Sequence, residues 1–126
     1  MNETMKALVY YEPGKYGLTD VPVPVILKPT DVLAKVTLAA ICTSDIHQVR
    51  GEVEGIPYPR IQGHEFCAEV VEAGAEVKNL KVGDRCMVLP GTFCGQCDMC
   101  RAGRFLFCRD GGIFGGFSLE GCHAEY

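Results

Sequence analysis

The chain has 126 residues, enough for one domain with a real core but too few for two. Apolar residues make up 48%, and 15 glycines with 7 prolines suit a loop-rich or all-β fold. A net charge of −4 with scattered lysines and arginines argues against a nucleic-acid role, and no apolar run reaches membrane-spanning length.

Taken in order, Met1-Asn-Glu-Thr-Met-Lys is polar, shows no secretory signal, and runs into strand formers at 5–11. A turn is predicted at 12–15, then a short edge strand over 18–23, limited by Pro22 and Pro24. Residues 29–31 read as a loop. The strand over 32–41 alternates at Lys35 and Thr37, and its apolar end is expected to be buried and to deliver Cys42 to the mouth of the sheet. Residues 43–49 read as a loop or one helical turn, with Thr43, Ser44 and Asp45 as N-cap formers. Gly55, Pro57 and Pro59 make 51–62 irregular. Strands follow over 66–73, ended by Gly74, and over 86–89, ended by Pro90, with a tight Gly83 turn between them. A cysteine lobe spans about 90–110, a flexible glycine-rich return covers 111–116, and another strand starts at 122–126.

The lobe carries the most specific chemistry. Cys94, Cys97, Cys100 and Cys108 fall within fifteen residues, the first three at two-residue gaps. One tight turn can aim two such sulfurs at a single point, and a short loop returns the fourth. Four thiolates suit a tetrahedral zinc ion. Disulfides are the first alternative, but they belong to secreted chains. An iron–sulfur cluster is the second, but a bacterial cluster run would place its last cysteine after about three residues, before a proline. Eight cysteines without a secretory segment point instead to a reducing, cytoplasmic setting. Arg101, Arg104 and Arg109 read as solvated surface around the lobe. Cys67, Cys86 and Cys122 read as small core hydrophobes, and His123 as structural.

A second constellation combines Cys42, Ser44, Asp45 and His47 with Gly63-His64-Glu65. A thiolate, an imidazole and a carboxylate suit a catalytic zinc, which keeps one position open. A cysteine after an apolar strand is, on its own, more often core than ligand.

These motifs carry a resemblance. Cys42-x-Ser44-Asp45-x-His47, Gly63-His64-Glu65, Val82-Gly83-Asp84-Arg85, the four-cysteine lobe and Ala124-Glu125-Tyr126 occur in the order found in zinc-dependent medium-chain alcohol dehydrogenases. From Lys6 to Tyr126 the chain resembles their N-terminal catalytic domain. The resemblance implies a mainly β, GroES-like, partly open barrel over 1–126, with a protruding four-cysteine zinc lobe and few short helices. It implies that Cys42 and His64 ligate a catalytic zinc, with Glu65 beside it as an outer group or alternating ligand. Asp45 fixes the tautomer of His64. Ser44 contacts the alcohol and passes its proton toward His47. Cys94, Cys97, Cys100 and Cys108 hold a structural zinc. The implied substrate is a small-molecule alcohol or polyol, oxidised to a carbonyl with NAD or NADP. No nucleic acid or membrane is implied, and a homo-oligomer is allowed.

The chain departs from the family in three ways. Family members continue into a Rossmann domain, and here no strand leads into a GxGxxG turn. The chain therefore reads as a fragment that does not turn over alcohol alone. The third ligand of the catalytic zinc usually lies beyond residue 126, so Glu65 is the substitute within the chain. Thr43 stands where some relatives carry a basic residue for the cofactor's pyrophosphate. The competing reading is a zinc-binding structural or interaction module without catalysis, which would separate or bury Cys42 and His64. A nucleic-acid zinc module is disfavoured by charge, and zinc-free quinone reductase relatives by the metal motifs. A chaperonin-like role is fold analogy alone.

Overall fold

In chain order the elements are β1 (Thr4–Glu12), β2 (Lys15–Pro22), β3 (Val32–Ala39), α1 (Thr43–Val49), β4 (Arg60–Ile61), β5 (Phe66–Ala73), β6 (Arg85–Val88), β7 (Gly91–Thr92), α2 (Asp98–Arg101), a 3-10 turn (Phe105–Phe107) and β8 (Gly112–Ile113). The computed structural model describes residues 3–126; Met1 and Asn2, the head of the polar start, lie outside the described residues. Two three-stranded antiparallel sheets, β2-β1-β4 and β3-β5-β6, form a mainly β, partly open barrel, and the β7–β8 pair forms the base of the cysteine lobe.

β1 alternates as its sequence demands. Met5, Ala7 and Val9 are buried with Ile61 of β4, and Val21, Val23, Ala124 and Tyr126 pack against them. β2 begins at Lys15, earlier than the apolar pattern suggests, because Pro13-Gly14 makes a two-residue turn that pairs Glu12 with Lys15. Pro22 ends β2 on an edge, where its missing donor costs nothing. The segment read as irregular contains β4, whose two residues pair with Val9 and Tyr10 of β1. Arg60 is buried there, its guanidinium donating to the carbonyls of Leu119, Phe117 and Pro57.

The end of the chain stitches the two sheets together. Leu8 N–H donates to His123 O, Glu125 N–H to Lys6 O, and Val36 N–H of β3 to Glu125 O. Residues 122–126 therefore lie between the sheets, with a single bridge at Ala7–Ala124 in place of the expected strand. The glycine-rich return is packed rather than loose: Gly115 and Gly116 are buried, and a Cβ on Gly115 would lie 2.6 Å from Gly63 N.

β3 corrects a further expectation. Its apolar end is exposed, with Leu38 at 69% and Ile41 at 73%. The register with β5 slips between Val36 and Leu38, so Thr37 is an extra residue. Such a bulge shifts the following side chains to the other face. Leu38 then looks over an open apolar cavity. Cys67 lines the same cavity and Cys86 is also only half-buried; of the three cysteines read as core, Cys122 alone is buried.

Candidate metal centres

Each of Cys94, Cys97, Cys100 and Cys108 offers a sulfur, and the four lie within 4.8 Å of one another. Zinc–sulfur bonds of about 2.3 Å place tetrahedral sulfurs roughly 3.8 Å apart, so the cluster fits zinc. All eight cysteines are free. Local structure aims them. Gly95 takes φ +72 inside the first turn, a conformation that L side chains rarely adopt. Cys97 caps α2, its sulfur accepting from Cys100 N–H at 3.4 Å. Cys94 N–H donates to Cys108 Sγ at 3.2 Å.

These donors set the acidity of the thiols. The backbone N–H of Arg109, then that of Cys100, stabilise the Cys97 thiolate and bring its pKa down to about 6. Burial first, then hydrogen bonding with Cys97 and Cys108, push Cys100 up to about 12. The Cys94 backbone N–H leads in lowering Cys108. Asp98, bonded to the Arg109 guanidinium, falls to about 2.

At the second centre, donor atoms of Cys42, His64 and Glu65 also lie within 4.8 Å of one another. Cys42 is the N-cap of α1, a helix longer than the single turn expected. Thr43, Ser44 and Asp45 lie inside that helix rather than at its cap. Asp45 reaches back, its Oδ2 accepting from Cys42 N–H at 2.8 Å. Its Oδ1 lies 3.6 Å from His64 Nδ1 and has no hydrogen-bond partner although Asp45 is only 1% exposed. A ligand on Nε2 would hold the His64 proton on Nδ1, facing that carboxylate, so the residues fit a metal here. Ser44 Oγ stands 3.3 Å from His64 Nε2, on the ligand side of the ring.

Gly63 makes this approach possible. It has φ +99, and a Cβ would fall 2.5 Å from His123 Cδ2 and 2.8 Å from Cys122 Sγ. His123 thus packs behind the centre, against Tyr10 and within 3.5 Å of Ala40 O. Glu65 is exposed, and the open cavity of about 450 Å³ extends from His64 and Glu65 over Leu38, Phe66 and Met87.

His47 is not drawn in. It is exposed at the end of α1, its Nδ1 hydrogen-bonded to the Glu52 carboxylate, and among the described residues no hydrogen bond joins it to Ser44. That bond leads in lowering the Glu52 pKa. Glu52 was missed by sequence reasoning, since nothing in a five-residue separation across a helix end signals a contact. The Asp98–Arg109 pair was missed for the same reason.

Known proteins share this fold. The family model for the alcohol dehydrogenase GroES-like domain matches residues 28–126. The zinc-type alcohol dehydrogenase B of Aspergillus flavus is 38% identical over 122 residues, covering 97% of this chain and 28% of that protein. The solved alcohol dehydrogenase TADH from Thermus sp. ATN1 superposes with a TM-score of 0.89 at 32% identity, covering 96% of this chain and 36% of that one. A protein assigned as a zinc-binding dehydrogenase, from Sinorhizobium meliloti 1021 and bound to NADP, superposes with a TM-score of 0.84 at 37% identity, covering 99% and 36%. The chain thus spans about a third of the length of these relatives.

Proposed function

The chain belongs to the alcohol dehydrogenase GroES-like domain family, and from that membership we propose that it supplies the zinc-binding and alcohol-binding part of a zinc-dependent, NAD(P)-linked alcohol dehydrogenase. The observation that carries the reading is the convergence of Cys42, His64 and Glu65 at the mouth of an apolar cavity. Three mixed donors leave a fourth position for a small ligand, whereas the four-cysteine lobe is closed and structural.

Zinc, when bound, supplies Lewis acidity, polarising an alcohol oxygen and lowering the pKa of its proton. The chain's own residues do the rest. Cys42, His64 and Glu65 hold the metal, and Asp45 keeps the His64 proton on Nδ1. The open apolar cavity beside Leu38, Phe66 and Met87 takes the apolar part of a small alcohol. Ser44 Oγ, next to His64 Nε2, accepts the alcohol's proton and hands it outward. His47, exposed and held at Nδ1 by Glu52, is the proposed outlet to solvent, reached from Ser44 through water because no hydrogen bond joins the two among the described residues. NAD or NADP is the hydride acceptor proposed for the complete reaction. A homo-oligomer is proposed as the working state, and a cytoplasmic location fits the free thiols; among the described residues no helix is long and apolar enough to cross a membrane.

The test is zinc content, wild type beside a Cys42→Ala/His64→Ala double variant. Two ions per wild-type chain falling to one in the variant is the expected outcome. One ion in both would mean that the lobe alone holds metal, and the catalytic reading would give way to a structural zinc module.

A further inference from the structure

The arginines of the lobe read as solvated surface, and all three are exposed. Arg109 differs only in being paired. Its Nε and Nη2 donate to Asp98 Oδ1 and Oδ2 at 2.6 and 2.7 Å, a two-pronged pair. Asp98 follows Cys97 and opens α2, which also carries Cys100; Arg109 follows Cys108. The pair therefore joins the two chain segments that bring the second, third and fourth thiols together.

Little else does so. Among the described residues it is the only side chain–side chain hydrogen bond within the lobe that does not involve a thiol. The other ties in the lobe end on sulfur, as with Cys94 N–H to Cys108 and Arg109 N–H to Cys97, lie in the loop between the segments, as with Arg104 N–H to Met99 O and the Phe93–Phe105 ring contact, or lie at the lobe's base, as with Gly112 N–H to Thr92 Oγ1 and the β7–β8 pair. Four thiolates around a divalent ion also leave excess negative charge, and the Arg109 charge is felt at Cys97.

We propose that Asp98 and Arg109 are positioning residues that clamp the lobe and slow the loss of its zinc. The proposal rests on the reading that the four cysteines hold zinc. The clamp acts through fork geometry rather than charge alone, and the two accounts differ. A lysine at 109 keeps the charge but cannot make the planar fork. Removing the Asp98 charge leaves Arg109 free to balance the thiolates, so an electrostatic role predicts unchanged or slower zinc loss in Asp98→Asn, and a clamp predicts faster loss.

The experiment measures zinc release to an excess of chromophoric chelator in the Cys42→Ala/His64→Ala background, so that only lobe zinc is read. Asp98→Asn, Arg109→Gln and Arg109→Lys are each expected to release zinc roughly two- to fivefold faster, the range open to an exposed bidentate pair. The double Asp98→Asn/Arg109→Gln variant is expected to be no faster than either single change, because one interaction is lost in all three. Circular dichroism should stay unchanged, since both side chains are exposed. A wild-type rate in Arg109→Lys, or unaltered release from Asp98→Asn, overturns the clamp. A background protein holding no zinc overturns the zinc reading and the clamp with it; zinc bound but released at one rate by every variant overturns the clamp alone.

Discussion

Asp45 does two jobs with one carboxylate. Oδ2 closes the start of α1 on the Cys42 N–H, and Oδ1 faces the Nδ1 of His64. A candidate ligand thus starts the helix, and the helix in turn orients the other candidate ligand. Asp45→Ala removes the cap and leaves the His64 N–H without its buried partner. It should cost about 1–3 kcal/mol in urea unfolding and take the second zinc with it. Asp45→Asn keeps an acceptor for the Cys42 N–H and should cost less, while still weakening the zinc held by His64. An Asp45→Ala protein within about 0.5 kcal/mol of wild type and still holding two ions would show that this link is not used.

At the level of elements, the cysteine lobe is built from sulfur contacts and very short secondary structure, so its state follows thiol protonation. Zinc takes thiolates, and every proton still on sulfur must leave when it binds. In the metal-free lobe Cys97, at about 6, is already mostly ionised at pH 7, whereas Cys100, at about 12, still holds its proton. Zinc uptake at pH 7 should therefore release at least one proton but fewer than four. Affinity should rise with pH and fall more steeply below about pH 6, where Cys97 takes up a proton as well. Titrating zinc into weakly buffered Cys42→Ala/His64→Ala protein reads the count directly, and four protons released would refute the ionised state of Cys97. The same elements show what could be read before the structure. The cysteine spacing spoke plainly because α2 and the Gly95 turn act within a few residues. β1 was readable from its run of strand formers, and β5 from an apolar segment that Gly74 ends. The β3 bulge at Thr37 was not, because a one-residue slip leaves no mark on composition yet turns Leu38 to the other face. β4 was hidden among prolines, since its partner, β1, lies some fifty residues earlier in the chain. His47–Glu52 and Asp98–Arg109 depend on where loops return, which local pattern does not record.

The molecule as a whole exposes more apolar surface than its small core would suggest. Leu38 (69%), Met87 (82%) and Leu89 (61%) border the cavity beside His64, while Leu106 (98%) and Phe107 (71%) project from the lobe. The two regions meet, because Leu89 and Pro90 line both the cavity beside His64 and a second cavity of about 740 Å³ that includes Phe93, Phe105 and Phe117. A continuous apolar face of this kind marks a contact surface, or an association liability where it is left bare. The 126-residue chain should therefore self-associate, appearing in sedimentation velocity as species above 13.7 kDa whose share grows with concentration. Leu106→Lys and Met87→Lys place charge at the two ends of that face, and each should shift the distribution toward monomer without altering zinc content, since both side chains are largely exposed and neither is a candidate donor. If only Met87→Lys acts, the contact is confined to the cavity beside His64, and association would block the proposed alcohol site; if only Leu106→Lys acts, that site stays open in the associated form. A chain that stays monomeric at every concentration would show that the exposed face is not adhesive, and the oligomer proposed above would then lose its physical basis.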